Sequence, residues 1–249
     1  AWVQPYRVES SVFDSFQFLF LLFYSLYHRF IRKSADPTMS PRFKLTYFDL
    51  RGRAEPIRML FALAGIPLED KRITFEEWPE TKKNAPFGAL PMLEFDGIKL
   101  SQTLAILRYV ARENGFAGPD NLAAARADSL CDQYVDFGLS FKDWYVVNVG
   151  YAEGDEAELR KSVYDPAKAR HFPYFEEALK QSSTGWYAGT ADLTYVDLFI
   201  AASLEVLKRV DKQADRLFDE FPLMSAQYDK VFAHPKLQKY LAERPEAKY

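Results

Sequence analysis

Phe43-Lys44-Leu45-Thr46-Tyr47-Phe48-Asp49-Leu50-Arg51-Gly52-Arg53-Ala54-Glu55 decides the fold, because it reads as a strand that delivers a tyrosine to the mouth of a helix. Phe43, Leu45 and Tyr47 alternate with Lys44 and Thr46 at the period of a half-buried strand. Gly52 loosens the following turn, and an apolar helical run continues from Ile57 to Leu63. Pro56 falls in the first helical turn, where a missing N–H costs nothing, and Gly65 and Pro67 stop the helix. Tyr47 therefore sits near the carboxyl end of the strand.

Further out, Arg72-Ile73-Thr74-Phe75 reads as a second strand, and Met92–Phe95 and Ile98–Leu100 flank Asp96-Gly97, a two-residue hairpin turn. A second helix is expected over Thr103 to Asn114, closed by Gly115. The order strand, helix, strand, strand, strand, helix calls for a mixed sheet with helices packed on it. After Pro119-Asp120-Asn121, aromatic and apolar residues recur at helical spacing and β-rich runs nearly vanish, so an all-helical domain begins there. One long helix is expected from Leu122 to about Val147, carrying Asp132 and Asp136 one turn apart. Later, Thr194 and Asp197 have the spacing of a capping box, with Leu193 and Leu198 as its hydrophobic staple. The expected organisation is an extension over 1–40, an α/β domain over 41–118 and an all-α domain over 119–249.

Ordered blocks make the α/β part specific. Lys44-Leu45-Thr46-Tyr47-Phe48, Arg51-Gly52-Arg53-Ala54-Glu55, Pro86-Phe87-Gly88-Ala89-Leu90-Pro91 and Ser101-Gln102-Thr103-Leu104-Ala105-Ile106 resemble the thioredoxin-like amino-terminal domain of a soluble glutathione S-transferase. The tyrosine, Glu76-Glu77-Trp78-Pro79 and the wording around Arg53 look most like the sigma class, which includes glutathione-dependent prostaglandin D synthases. The resemblance runs over about residues 41–249. It implies Tyr47 and Arg53 as catalytic residues and glutathione as co-substrate. Leu90, before a cis Pro91, would pair its backbone with the cysteinyl residue of the tripeptide. Trp78 and Lys82 would hold the glycine end, and Asp136 would reach the γ-glutamyl amine across a homodimer interface. Phe48, Trp144, Tyr145 and Tyr151 are the candidates for a second-substrate pocket that takes hydrophobic electrophiles. Many prostaglandin synthases of this class hold a divalent cation through an acid where this chain has Val135, so no metal is expected.

The chemistry can be argued from the residues as well. A free thiol titrates near ~8.5, so holding it mostly as thiolate at neutral pH asks for about 3 kcal/mol of preference for the anion. A phenol donating to sulfur would supply part of this through a charge-assisted hydrogen bond. Arg53 would add a positive field favouring both the thiolate and a more acidic phenol, a role Arg51 is expected to share. Gln102 and Thr103 fall at the start of a helix, where unpaired N–H groups and the dipole suit a carboxylate.

Composition narrows the alternatives. A formal net charge of -3 over 249 residues gives no broad attraction to nucleic acid. The lone Cys131 excludes an internal disulfide and a Cys-x-x-Cys redox pair. His28, His171 and His234 are scattered without metal-ligand spacing and read as surface or capping residues. The apolar run 16–27 is short for a bilayer span and poor as a signal peptide, so membrane-surface contact, secretion or packing on the globule all stay open for it. The core itself resembles cytoplasmic enzymes, and residues 1–38 look like an appendage to it. The leading function is conjugation of glutathione to electrophiles, that is, detoxification. The alternatives are isomerisation of prostaglandin H2 to D2 and a non-catalytic, crystallin-like relative.

Overall fold

A computed structural model of the chain describes residues 42–247. The extension 1–40, with its apolar run 16–27 and His28, lies outside them. Strand β1 (Phe43–Phe48) is central in a four-stranded sheet of order β2-β1-β3-β4. It runs parallel to β2 (Leu68–Ile73), with Tyr47 opposite Arg72, and antiparallel to β3 (Met92–Phe95). The hairpin partner β4 (Ile98–Ser101) closes the far edge. Helix α1 (Glu55–Ala64) begins with Pro56 in its first turn and ends on Gly65 in the left-handed conformation, as its sequence requires. Helix α2 (Trp78–Lys82) is short, and α3 (Thr103–Asn114) keeps the expected bounds and its Gly115 cap.

Strand β2 begins earlier and ends sooner than the expected Arg72–Phe75. Its first residues, Leu68-Glu69-Asp70-Lys71, carry charges that disguise an edge strand. It stops because Thr74 and Glu77 close a reciprocal cap, with the Thr74 amide donating to Glu77 Oε2 (2.7 Å) and the Glu77 amide to Thr74 Oγ1 (3.3 Å). That turn leaves Phe75 outside the ladder and 54% exposed.

The remainder of the chain is helical: α4 (Asn121–Ser140), α5 (Lys142–Asn148), α6 (Glu156–Leu159), α7 (Asp165–Lys180), α8 (Tyr195–Val210), α9 (Pro222–Phe232) and α10 (Gln238–Glu243). The single helix expected over 122–147 is therefore two. Phe141 leaves helical geometry (φ −116°, ψ 13°), and its buried ring lies against Phe137 at 4.5 Å. Helix α8 is buried on nearly every side, as befits the centre of this domain. Its start is fixed by the Thr194–Asp197 capping box, with Leu193 and Leu198 buried beside it. Among the described residues no helix is long and apolar enough to cross a membrane.

Candidate active site

Tyr47 reaches the end of β1 with its ring 8% exposed. The chain then turns through Gly52 at φ +40°, which carries the Arg53 amide back onto the phenol, where it donates to Tyr47 Oη at 3.2 Å. Because the oxygen accepts this bond, its own proton remains available for a further partner. Burial pushes the phenol above its usual value, and the Arg53 hydrogen bond and the Arg53 and Arg58 charges reduce that rise without cancelling it. This corrects the expectation of a more acidic phenol: at neutral pH Tyr47 keeps its proton, and what it offers is donation.

Arg53 itself is exposed beside this group. Arg51 is not. It is 3% exposed and turned toward α8, where Nη1 donates to Glu205 Oε1 at 2.5 Å, so the expected sharing of a field role at the thiol is replaced by a buried ion pair.

Thr103 joins the group directly, its hydroxyl donating to the Arg53 carbonyl at 3.1 Å. Gln102, the residue before α3, holds a positive φ of 76°, unusual for a side chain of its kind and characteristic of sites where function outweighs backbone preference. The amides of the first turn of α3 thus open beside Arg53. The Leu90–Pro91 peptide is cis, as the resemblance implies, and leads into β3 next to β1. Trp78 stands edge-on to Phe48 with centroids 5.6 Å apart. Lys82 lies over the turn before Leu90, close enough that a Cβ on Gly88 would be 3.2 Å from its Cε. Asp136 is elsewhere: it is exposed on α4 and lines a groove of about 500 Å³ with Gln133, Ser140, Arg170 and His171. It makes no contact with the Tyr47 group within the chain.

The residues expected to line a second pocket divide. Phe48 and Tyr145 do neighbour Tyr47, and burial, followed by the Tyr47 and Tyr151 phenols, pushes Tyr145 up to about 12. Tyr151 is exposed on the loop after α5. Trp144 is a correction: it is fully buried, stacked on Tyr164 at 4.1 Å, with its indole N–H donating to Glu156 at 2.9 Å. It belongs to the helical core. Phe75, which sequence reasoning missed, stacks on Phe48 at 4.7 Å and stands edge-on to Tyr151 at 6.5 Å. The signal was present as an aromatic two residues after Ile73, the last core residue of β2, and inside the Thr74–Glu77 capping sequence.

Among the described residues no group of three His, Cys, Asp or Glu side chains is arranged to hold a metal. His234 caps the amide of Lys236 (3.3 Å), whereas His171, expected at the surface or in a cap, is buried and bonded to Gln133 (2.7 Å) and Ser140 (3.3 Å). Cys131 is buried within α4, and burial pushes its thiol well up.

What the geometry can do is present a neutral phenol donor, with the Arg53 and Arg58 charges near it, to an acidic group on a ligand. Comparison with known proteins gives the family. Residues 43–112 match the glutathione S-transferase N-terminal domain and residues 141–244 the glutathione S-transferase C-terminal domain. A probable glutathione S-transferase 6 from Caenorhabditis elegans is 40% identical over 204 residues, covering 82% of this chain and 97% of its own. A monomeric glutathione S-transferase from the hookworm Necator americanus is 42% identical, with TM-score 0.78 over 84% of this chain and 100% of its own. A Nu-class enzyme from Haemonchus contortus is 41% identical, with TM-score 0.74 over 83% and 98%. A prostaglandin synthase D from Nilaparvata lugens is 30% identical, with TM-score 0.73 over 83% and 100%.

Proposed function

The chain belongs to the glutathione S-transferase family, and from that premise we propose that Tyr47 is the residue that holds its co-substrate as the thiolate. The enzyme joins glutathione to hydrophobic electrophiles. The observation that carries our reading of its site is the Arg53 amide donating to Tyr47 Oη, which orients the phenolic proton away from the backbone and toward a ligand sulfur. A charge-assisted hydrogen bond of this kind favours the thiolate by about 1.5–3 kcal/mol, most of what neutral pH requires. Arg53 adds its charge at the same place.

The other ligand groups follow the elements. The amides at Gln102 and Thr103 receive the γ-glutamyl carboxylate. The Leu90 backbone, ahead of Pro91, pairs with the cysteinyl residue as an added strand. Trp78 and Lys82 hold the glycine end, with the Lys82 ammonium on the carboxylate. Phe48, Tyr145 and Tyr151, together with Phe75, face the electrophile. Asp136 serves the γ-glutamyl amine of a second copy, which makes the working enzyme a homodimer. Exposed apolar side chains at Phe87 (84%), Leu139 (66%) and Tyr174 (57%) support such an association.

A second reading, the sigma-class likeness with prostaglandin H2 as substrate of the same thiolate, is favoured by the insect prostaglandin synthase among the similar structures. The Nu-class and hookworm enzymes are nearer in sequence and leave general conjugation as the first reading. A non-catalytic, crystallin-like role is disfavoured by the complete set Tyr47, Arg53, Gln102 and Asp136. Steady-state kinetics on Tyr47→Phe test the proposal: KM for glutathione should stay within a few-fold while turnover falls by about tenfold or more. A wild-type rate would remove Tyr47 from the chemistry.

A further inference from the structure

Behind the turn that carries Arg53 lies a buried cluster of charge that the site described above does not use. Glu55, the first residue of α1, is fully buried, and Glu205 of α8 is 6% exposed. Arg58 and Arg51 are 2% and 3% exposed. Arg58 Nη1 donates to the Leu50 carbonyl (2.8 Å) and the Arg51 carbonyl (3.4 Å), and sits 3.5 Å from Glu55 Oε2. Arg51 is tied to Glu205, and its carbonyl also accepts from the amides of Ala54 (3.2 Å) and Glu55 (3.0 Å). The turn over residues 50–54 is therefore held through two arginines; Arg51 is held by Glu205, and Arg58 by Glu55 and by Asp70 of β2, which accepts from its Nε at 2.9 Å.

Glu55 and Glu205 meet a third guanidinium that comes from the other end of the chain. Arg244, just past α10, donates from Nη1 to Glu55 Oε1 (2.6 Å) and Glu205 Oε2 (3.1 Å), and from Nη2 to Glu205 Oε1 (2.7 Å). Tyr240 adds a bond to Glu55 Oε1 at 2.9 Å. At the rim, Arg209 lies 3.7 Å from Glu205 and donates to the Ala247 carbonyl, while exposed Glu246 stands 3.9 Å from Arg51. Two buried carboxylates from different elements repel unless cations bridge them, and a buried charge deprived of its partner pulls its neighbours out of place. Arg244 is the bridge, since it alone of the three guanidinium groups touches both.

The structure assigns Arg244 the part of a positioning residue for Tyr47: by joining Glu55 to Glu205 it fixes Arg51 and Arg58, hence the turn, hence the Arg53 amide on the phenol. A shift of a few tenths of an ångström in that turn is felt at a 3.2 Å bond. Arg58 also stands 6.0 Å from the Tyr47 ring centroid, so its charge moves with the same network. This inference rests on Tyr47 being the group that holds the thiolate.

The test compares the pH dependence of turnover, and the ultraviolet titration of bound glutathione thiolate, in wild type, Arg244→Gln, Arg244→Lys, Tyr47→Phe and the double variant Tyr47→Phe/Arg244→Gln. All are assayed well below their melting temperatures. Arg244→Gln should keep KM for glutathione within a few-fold, lose about tenfold in turnover at neutral pH, and raise the thiolate midpoint by about one pH unit. Arg244→Lys, which keeps charge but loses the fork, should fall between. In the double variant, Arg244→Gln should add little to the shift that Tyr47→Phe already shows. A wild-type midpoint in Arg244→Gln beside a shifted Tyr47→Phe overturns the role of Arg244 alone. An Arg244→Gln shift that persists in full on the Tyr47→Phe background overturns it too, while a wild-type midpoint in Tyr47→Phe removes the Tyr47 reading first. Should Arg244→Gln fail to fold, a wild-type midpoint in Arg244→Lys overturns the inference by itself.

Discussion

At Gly52 one hydrogen atom is all that separates the backbone from the phenol of Tyr47. A Cβ there would lie 2.8 Å from Tyr47 Oη and 3.2 Å from its Cε1, on a residue whose φ of +40° already disfavours a side chain. Gly52→Ala should therefore push the hydroxyl off its site while leaving the rest of the glutathione site intact. Turnover is expected to fall about tenfold or more, the worth of one hydrogen bond to an anion, with KM changed only a few-fold. Wild-type turnover in a steady-state assay would mean that the hydroxyl is not held where the chemistry needs it. Tyr47, Arg53 and Thr103 were legible in sequence because strand alternation and a helix start fix where they fall. The fate of Arg51 was not, since its partner Glu205 lies 154 residues away and no local pattern records such a pair. Trp144 was misread for a similar reason: an aromatic on an amphipathic helix has the same spacing whether it lines a cleft or, as here, stacks on Tyr164 in the core.

Elements were legible where their own chemistry closes them. Helices α1 and α3 each end on a left-handed glycine, and the start of α8 was written in Thr194 and Asp197. Asp197 is fully buried and accepts from the amides of Thr194 (2.8 Å) and Tyr187 (2.9 Å) and from Gln227 (3.1 Å), so this cap also ties α9 and the loop before α8 to the central helix. Thr194→Ala should cost about 1 kcal/mol, read as a fall in melting temperature of about 2–4 °C, with activity of the folded enzyme unchanged. An unaltered melting curve would show that the box contributes nothing beyond the surrounding packing. The break at Phe141 and the early start of β2 were hidden because each depends on tertiary partners. The Phe141 ring is drawn into a cluster with Phe137 and Tyr164, and Asp70 of β2 is held by Arg58 of α1 at 2.9 Å.

For the whole molecule, the α/β layer supplies the proposed thiol site together with Arg51, Glu55 and Arg58 of the ion cluster behind the turn, and the helical part supplies Tyr145, Tyr151, Glu205 and Arg244. Asp136 is the one assigned residue that does not join the others within a chain, and the reason given for it is a second copy. Asp136→Ala should weaken glutathione binding by about tenfold or more in calorimetry while sedimentation still reports a dimer. Unchanged affinity in an intact dimer, or full activity in a protein that sediments as a monomer, would remove the cross-chain contact. The hookworm relative described as monomeric makes that second outcome a meaningful one to look for. The central claim, that the fold brings a neutral phenol donor to the glutathione sulfur, is tested most directly by ultraviolet titration of the bound thiolate in wild type and Tyr47→Phe. Bound glutathione in the wild-type enzyme should ionise about 2 pH units below a free thiol, and in Tyr47→Phe its midpoint should move back up by about one to two; identical midpoints in the two proteins would contradict the account.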